Sequence, residues 1–171
     1  MRSHGGIDPL GGRGVTSTPP IVGLLNVYET KHAEHYLYQL LAQRTPVESI
    51  SHTAMPSVEH HNQFVASRPY RMWSIIQVVQ PARQWEWVGA VLITRNNEIG
   101  ISIAAEHRRK GYASAALQQV LANYSPLPAD ASKRPGRFVA NINPKNSASI
   151  ALFTGLGAVH IQNTYAFEEM P

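Results

Sequence analysis

Apolar and polar residues follow two kinds of spacing along the chain, and these spacings separate strands from helices. Alternating or continuous apolar positions over short segments predict strands, whereas apolar positions three and four residues apart predict helices that bury one face. The strand pattern is found at residues 21–28, 71–80, 85–94, 98–104, 137–142 and 159–167. The helical pattern is found at residues 30–44, 57–66, 111–124 and from 143 to 155 or 157. The predicted order is therefore β-α-α-β-β-β-α-β-α-β.

This order predicts a mixed α/β domain of the α+β type. We expect a largely antiparallel central sheet of about six or seven strands, with helices on both of its faces. The chain has 171 residues, of which 43% are hydrophobic, and this suffices for one packed domain, expected at residues 21–171. Residues 1–20 are rich in glycine, proline and polar residues and are predicted to form a flexible tail.

The composition excludes several kinds of site. The chain has no cysteine, which excludes disulfides, cysteine nucleophiles and thiolate metal ligands. The histidine pairs His32/His35 and His60/His61 lack carboxylates at ligand spacing, so no metal site is expected. No apolar segment approaches the length of about 20 residues that spans a bilayer, and no signal peptide is evident. We therefore expect a cytoplasmic protein with no membrane partner.

The net charge is +4 and the calculated pI about 9.6. Such a charge suits a polyanionic partner, and it equally suits a phosphorylated small molecule held by a few arginines. The basic residues are scattered and form no long run, so a nucleic-acid partner is compatible with the sequence without being favoured. Either a monomer or a homodimer agrees with these features.

The junction between the strand 98–104 and the helix that begins near Gly111 carries the strongest chemical signal. A short basic turn at a helix N-terminus directs several backbone N–H groups to one place, where the helix dipole also favours an anion. Gly111 and Ala113 let the backbone approach a phosphate closely, and the basic residues 108–110 add positive charge. The junction predicts a diphosphate site. The glycine patterns typical of kinases and dehydrogenases are absent from the sequence.

Two motifs resemble the GNAT superfamily of N-acetyltransferases. Residues 108–113, Arg-Arg-Lys-Gly-Tyr-Ala, match the family signature as Arg-x-x-Gly-x-Ala. Residues 141–149 resemble the asparagine-bearing turn and helix start of the family, and they lead through Phe153 to the corner Gly155-Leu156-Gly157. The resemblance extends over residues 21–168.

The resemblance implies acetyl-CoA as the cofactor and places it. In the family, the strands that correspond to 98–103 and 137–142 splay apart, and pantetheine lies in the gap and bonds the backbone near Ile101 and Ile103. Asn143 or Asn146 lies beside the cofactor. The implied cofactor-binding residues are Ile101, Ser102, Ile103, Arg108, Arg109, Lys110, Gly111, Tyr112, Ala113, Ser114, Asn143, Asn146 and Phe153.

Acetyl transfer requires a neutral amine, so a base must remove a proton directly or through water. The base predicted by the resemblance is Glu98, whose alternative interpretation is a solvent-facing charge in a hairpin. The family usually protonates the departing thiolate with a tyrosine, but Phe153 stands at that position. Tyr165, Tyr112 or water would then take this role, with Tyr165 as our prediction. Trp73 is predicted to line the acceptor pocket.

We expect the acceptor to be the primary amine of a small molecule. The segment from Met55 to Trp73 resembles the acceptor region of family members that acetylate amino-sugar nucleotides, which favours an amino sugar or an amino-sugar nucleotide. The basic charge suggests a second hypothesis, an amine on nucleic acid or a protein N-terminus. Phe153 suggests a third, a non-catalytic acyl-CoA-binding module.

Overall fold

An antiparallel sheet of four strands, with helices on both faces, forms the described part of the chain. The structure is a computed structural model, and it describes residues 20–48, 54–79, 84–131 and 134–164. The strands are β1 (Val22–Asn26), β2 (Met72–Val79), β3 (Trp85–Ile93) and β4 (Ile99–Ile103). The helices are α1 (Ala33–Ala42), α2 (Val58–Ala66), α3 (Tyr112–Asn123) and α4 (Ser147–Gly155). Short 3₁₀ turns lie at Val27–Glu29, Pro46–Glu48 and Ala105–His107.

The strands follow one another in the order β1-β2-β3-β4, each antiparallel to its neighbour. Met72, Ile76 and Val78 of β2 pack with α3 on one face, whereas Trp73 and Ile75 pack with α1 and α2 on the other. Because both faces of the central strands are covered, these strands are apolar at nearly every position. The predicted mixed α/β class, with an antiparallel sheet between helices, is confirmed.

The predicted number of six or seven strands is wrong for the described residues. The segment 137–142 contributes a single parallel bridge, between Glu98 and Val139, and residues 159–164 belong to no strand. Beyond Val139 the asparagine side chains make local contacts: Asn141 bonds the carboxylate of Glu98, and Asn143 accepts a hydrogen bond from the N–H of Lys145. Residues 165–167 lie outside the described residues, as do residues 1–19 of the predicted tail.

Two helices begin later than predicted. Helix α1 begins at Ala33, because the hydroxyl of Thr30 donates to the backbone oxygen of Asn26 at 2.7 Å and caps no helix. Helix α4 was expected to start at Asn143, but it begins at Ser147. Asn146 caps α4, since its Oδ1 accepts a hydrogen bond from the N–H of Ser149 at 3.0 Å.

Asn97 joins the turn between β3 and β4 to the loop that precedes residue 137. Its side chain is fully buried, and its backbone is left-handed with φ of 63°. The amide nitrogen donates to the backbone oxygens of Leu127 and Pro135 at 2.8 and 2.7 Å, and Oδ1 accepts from the N–H of Leu127 at 2.8 Å. The backbone oxygen of Asn97 also accepts from the N–H of Val139 at 3.0 Å. Asn97 therefore helps to position the segment 137–142 beside β4.

Replacing Tyr36 with phenylalanine should leave the free energy of unfolding at pH 7 unchanged or raise it by about 1 kcal/mol. The Tyr36 hydroxyl is buried and has no hydrogen-bond partner among the described residues, while its ring packs edge-on against Trp87 at 5.3 Å. Burial, with smaller contributions from Glu106 and Glu86, raises the pKa of Tyr36 well above its usual range. The unfolded chain therefore ionises first, and wild type should lose stability above about pH 10.

Urea unfolding at pH 7 and at pH 10.5 tests this prediction. The alkaline loss of stability should be smaller in Tyr36→Phe than in wild type. Tyr38→Phe is the matched control, because the Tyr38 hydroxyl donates to the backbone oxygen of Pro56 at 3.0 Å and its removal should cost about 1 kcal/mol. A larger loss at pH 7 for Tyr36→Phe than for the control would contradict the prediction.

Candidate active site

The turn between β4 and α3 has the geometry of an anion site. Arg109 and Gly111 both adopt left-handed backbone, with φ of 59° and 81°, and Gly111 is the residue that precedes α3. The first backbone hydrogen bond of the helix runs from the N–H of Ala115 to the oxygen of Gly111 at 3.1 Å. The N–H groups of residues 112–114 therefore have no acceptor within the helix and point out of its positive end. The predicted helix start is confirmed.

The three basic residues of this turn differ in their surroundings. Arg108 forms an ion pair with Glu48 at 2.8 Å and donates from Nε to the backbone oxygen of Ile103 at 3.1 Å. Arg109 and Lys110 are exposed and form no ion pair with any described residue. The turn therefore combines one fixed guanidinium with two exposed cations.

Strand β4 has an edge that faces away from β3. The N–H of Ile99 uses this edge to bond the oxygen of Val139 at 2.8 Å. Because the backbone direction alternates along a strand, the N–H groups of Ile101 and Ile103 point to the same edge. No further bridge of the described residues follows the one at Val139. The edge therefore offers backbone partners along its length toward the basic turn.

Glu98 lies at the start of this edge, just before β4. Its side chain is half-buried, and Oε1 accepts a hydrogen bond from the side-chain nitrogen of Asn141 at 3.1 Å. Its backbone N–H donates to the hydroxyl of Thr94 at 3.1 Å. Asn141 was not predicted as a functional residue, although it belongs to the family motif at 141–149. Asn141 thus bonds the Glu98 carboxylate across the gap between β4 and the segment 137–142.

The side chains of Glu98 and Ser102 lie on the face that α1 and α2 cover, and Gly100 between them has its Cα hydrogen there. Ile99, by contrast, packs with α3 in the opposite cluster. The register agrees, because Gly100 is opposite Leu92 in β3 and Leu92 packs with the α1 and α2 cluster. Glu98 therefore shares a face of the sheet with the first two helices.

Aromatic side chains lie on the same face. Trp73 is only 7% exposed and contacts the ring of Tyr70 edge-on at 4.8 Å. The hydroxyl of Tyr28 donates to the backbone oxygen of Tyr70 at 3.2 Å. Burial raises the pKa of the Tyr70 hydroxyl, Arg44 opposes this shift, and the negative charge of Glu98 adds to it. Tyr70 thus contacts Trp73, and the charge of Glu98 contributes to the raised pKa of its hydroxyl, but Tyr70 was not selected from the sequence.

An open pocket lies between the 3₁₀ turn Val27–Glu29, α1 and the end of α2. Its polar lining consists of Tyr28, Thr30, Glu34, Asn62 and Arg68. The guanidinium of Arg68 lies over the ring of Tyr28, at 5.4 Å from the ring centre. The pocket offers a carboxylate, an amide and hydroxyl groups to a polar ligand.

The remaining predicted residues lie on α3 and around α4, or outside the described residues. Tyr112 and Phe153 are half-buried and pack against the core between the sheet and α3. The side chains of Asn143 and Asn146 bond the backbone of their own turn and helix. Tyr165 lies outside the described residues. The roles predicted for these residues stay predictions.

Comparison with models of known protein families identifies the family of this chain. The acetyltransferase (GNAT) domain family matches residues 24–159. The chain belongs to the GNAT acetyltransferase family. It is therefore a transferase of the N-acetyltransferase type, and acetyl-CoA is its acetyl donor.

Solved structures agree with the fold of this GNAT acetyltransferase. A domain from Methanocaldococcus jannaschii is 21% identical, with a TM-score of 0.57 over 81% of this chain and 88% of that one. A spermidine N-acetyltransferase SpeG chimera from Vibrio cholerae and hSSAT is 14% identical, with a TM-score of 0.50 over 83% of both chains. At these identities the likeness shows the fold alone. No curated protein matches the sequence.

Neither a membrane-spanning helix nor a cluster of metal ligands is found in the described ranges of this GNAT acetyltransferase. These ranges contain no helix that is long and apolar enough to cross a membrane. They contain no group of three histidine, aspartate or glutamate side chains placed to hold a metal ion. The cytoplasmic location and the oligomeric state stay predictions.

Proposed function

We propose that this protein transfers the acetyl group of acetyl-CoA to the primary amine of a small molecule, with an amino sugar or an amino-sugar nucleotide as the favoured acceptor. The observation that carries the proposal is the position of Glu98. Its carboxylate lies at the start of the open β4 edge, on the face that also holds the polar pocket between α1 and α2. A base placed there can accept a proton from an amine that approaches from the pocket.

The geometry of the basic turn and the β4 edge supports the placement of acetyl-CoA. The N–H groups of residues 112–114 and the side chains of Arg108, Arg109 and Lys110 would hold the diphosphate. The backbone of Ile101, Ser102 and Ile103 would bond the pantetheine along the open edge. With the diphosphate at the turn and the pantetheine along the β4 edge, the thioester would lie at the end of β4 where Glu98 is.

Acetyl-CoA supplies the acetyl group as a thioester. Residues of the chain accept the proton of the amine and donate a proton to the thiolate. Glu98 accepts a proton from the attacking amine, directly or through water, so that the C–N bond forms as the C–S bond breaks. Asn141 keeps the carboxylate oriented through its hydrogen bond to Oε1. Tyr165, or alternatively Tyr112 or water, returns a proton to the thiolate.

The polar pocket supports a small hydroxylated acceptor. Glu34, Asn62 and Thr30 supply hydrogen-bond partners of the kind that sugar hydroxyls need, and the ring of Tyr28 supplies a flat apolar surface. Trp73, whose ring contacts that of Tyr70 edge-on, would help to shape the acceptor side. A polyamine is the second candidate, because the carboxylate of Glu34 can pair with a distal ammonium group and one structural neighbour is a spermidine N-acetyltransferase chimera.

Acetylation assays on a panel of amines test the proposal. The panel consists of glucosamine, an amino-sugar nucleotide, spermidine, a peptide with a free N-terminus and RNA, and the release of free thiol reports transfer. We expect the highest kcat/KM with an amino sugar or its nucleotide. Faster transfer to spermidine, the peptide or RNA would reassign the acceptor. Donor binding without transfer to any of these amines would favour a non-catalytic acyl-CoA-binding module.

A further inference from the structure

The segment that follows α1 is attached to the basic turn at two points. Oε1 of Glu48 lies 2.8 Å from Nη1 of Arg108, and Oε1 of Gln43 accepts a hydrogen bond from the N–H of Ala105 at 2.9 Å. Residues 43 and 48 are remote in sequence from the turn, and Gln43 is 62 residues from its partner. Neither residue belongs to the motifs that identify the family.

We propose that Glu48 is a positioning residue, which orients the guanidinium of Arg108 for the diphosphate of acetyl-CoA. The inference rests on the proposed placement of the diphosphate at this turn. An arginine has five N–H donors, and Arg108 uses Nε for the backbone oxygen of Ile103 and Nη1 for Glu48. Among the described residues no further partner takes Nη2 or the second hydrogen of Nη1, and these donors can bond a phosphate oxygen.

The environment of the pair agrees with a role in orientation. The side chain of Arg108 is 40% exposed, so that its free donors face solvent, whereas Glu48 is 26% exposed. A guanidinium held at two of its nitrogens loses less rotamer freedom when a ligand binds than a free side chain does. Arg109 and Lys110, which form no ion pair with described residues, supply charge without a fixed geometry. Orientation is therefore the distinct contribution of Arg108.

Gln43 provides a second attachment at the start of the same turn. Its contact with the N–H of Ala105 fixes the backbone two residues beyond Ile103, where β4 ends. The two contacts together connect the end of α1, on the acceptor face, to the turn that would hold the cofactor. The position of Arg108 is thus set from the strand by Ile103 and from the α1 side by Glu48.

A donor that lacks the diphosphate separates this role from a general effect on folding. Acetyl-CoA and S-acetylpantetheine carry the same thioester, but only acetyl-CoA can use Arg108. We expect Glu48→Gln to raise the KM for acetyl-CoA about fivefold with kcat unchanged, and to leave both constants for S-acetylpantetheine unaltered. Glu59→Gln, which changes an exposed carboxylate on α2, is the matched control and should behave as wild type with both donors.

The Arg108→Gln background completes the test. Glu48→Gln should have no further effect there, because the group that it orients is missing. An unchanged or lower KM for acetyl-CoA in Glu48→Gln would overturn the inference, as would an equal shift for both donors. Wild type that does not distinguish the two donors would overturn the diphosphate placement and the inference together. Wild type that prefers acetyl-CoA, with Glu48→Gln indistinguishable from it, would overturn the inference alone.

Discussion

Glu98→Gln should lower kcat for acetyl transfer by about 100-fold or more, while the dissociation constant of acetyl-CoA changes by less than about twofold. The amide of glutamine has nearly the shape of the carboxylate, and its oxygen can still accept the hydrogen bond from Asn141. It cannot accept the proton of the attacking amine. The loss should therefore fall on the chemical step, measured by thiol release under saturating donor and acceptor, and not on donor binding, measured by calorimetry.

Two comparisons make this result decisive. Glu59→Gln removes a carboxylate from the exposed surface of α2 and should retain wild-type turnover. Asn141→Ala leaves the Glu98 carboxylate in place but removes its hydrogen bond, so a smaller loss in kcat is expected. Full turnover in Glu98→Gln would exclude Glu98 as the base and would support its interpretation as a solvent-facing charge.

Gly89→Ala should lower the free energy of unfolding by about 3 kcal/mol. Gly89 lies in β3 opposite Ile103, and a Cβ there would collide with the backbone oxygen of Ser102 and lie 2.8 Å from Cδ1 of Ile103. Because one of these atoms belongs to the backbone, no side-chain rotation can relieve the collision, and β3 and β4 must separate. Urea denaturation measures the loss.

Gly155→Ala is the matched control, since a Cβ at Gly155 meets no atom within 4 Å. The substitution lies in the last turn of α4 and should be neutral or stabilising by up to about 1 kcal/mol. Equal effects of the two substitutions would contradict the role given to Gly89. Since β4 carries Ser102 and Ile103, Gly89→Ala should also raise the KM for acetyl-CoA under conditions in which the protein stays folded.

Local patterns were sufficient to predict the elements that depend on local interactions. Helix α3 begins at the predicted place, because Gly111 adopts the left-handed conformation and the apolar residues of the helix recur at helical spacing. Strands β2 and β3 were predicted because they are long and apolar on both faces. The basic turn could be predicted as an anion site because its residues are consecutive in the chain.

The remaining features depend on partners that are distant in sequence. Residues 137–142 have the composition of a strand, but whether they join a sheet is decided by the adjacent edge and by the asparagine side chains. The contact between Glu98 and Asn141 spans 43 residues, and that between Tyr28 and Tyr70 spans 42. The attachment of Glu48 to Arg108 likewise has no sequence signal, because one carboxylate in a short turn resembles any surface charge.

The role of Asn97 has a consequence for how this fold can diversify. A ladder of backbone hydrogen bonds would fix the distance between β4 and the segment 137–142 through many residues at once. Here the described contacts that set the distance are one bridge, the hydrogen bond between Asn141 and Glu98, and the three side-chain hydrogen bonds of the buried Asn97 amide. We therefore expect a substitution at Asn97 to alter the spacing between β4 and the segment 137–142 more than it alters the pairing of β1 to β4.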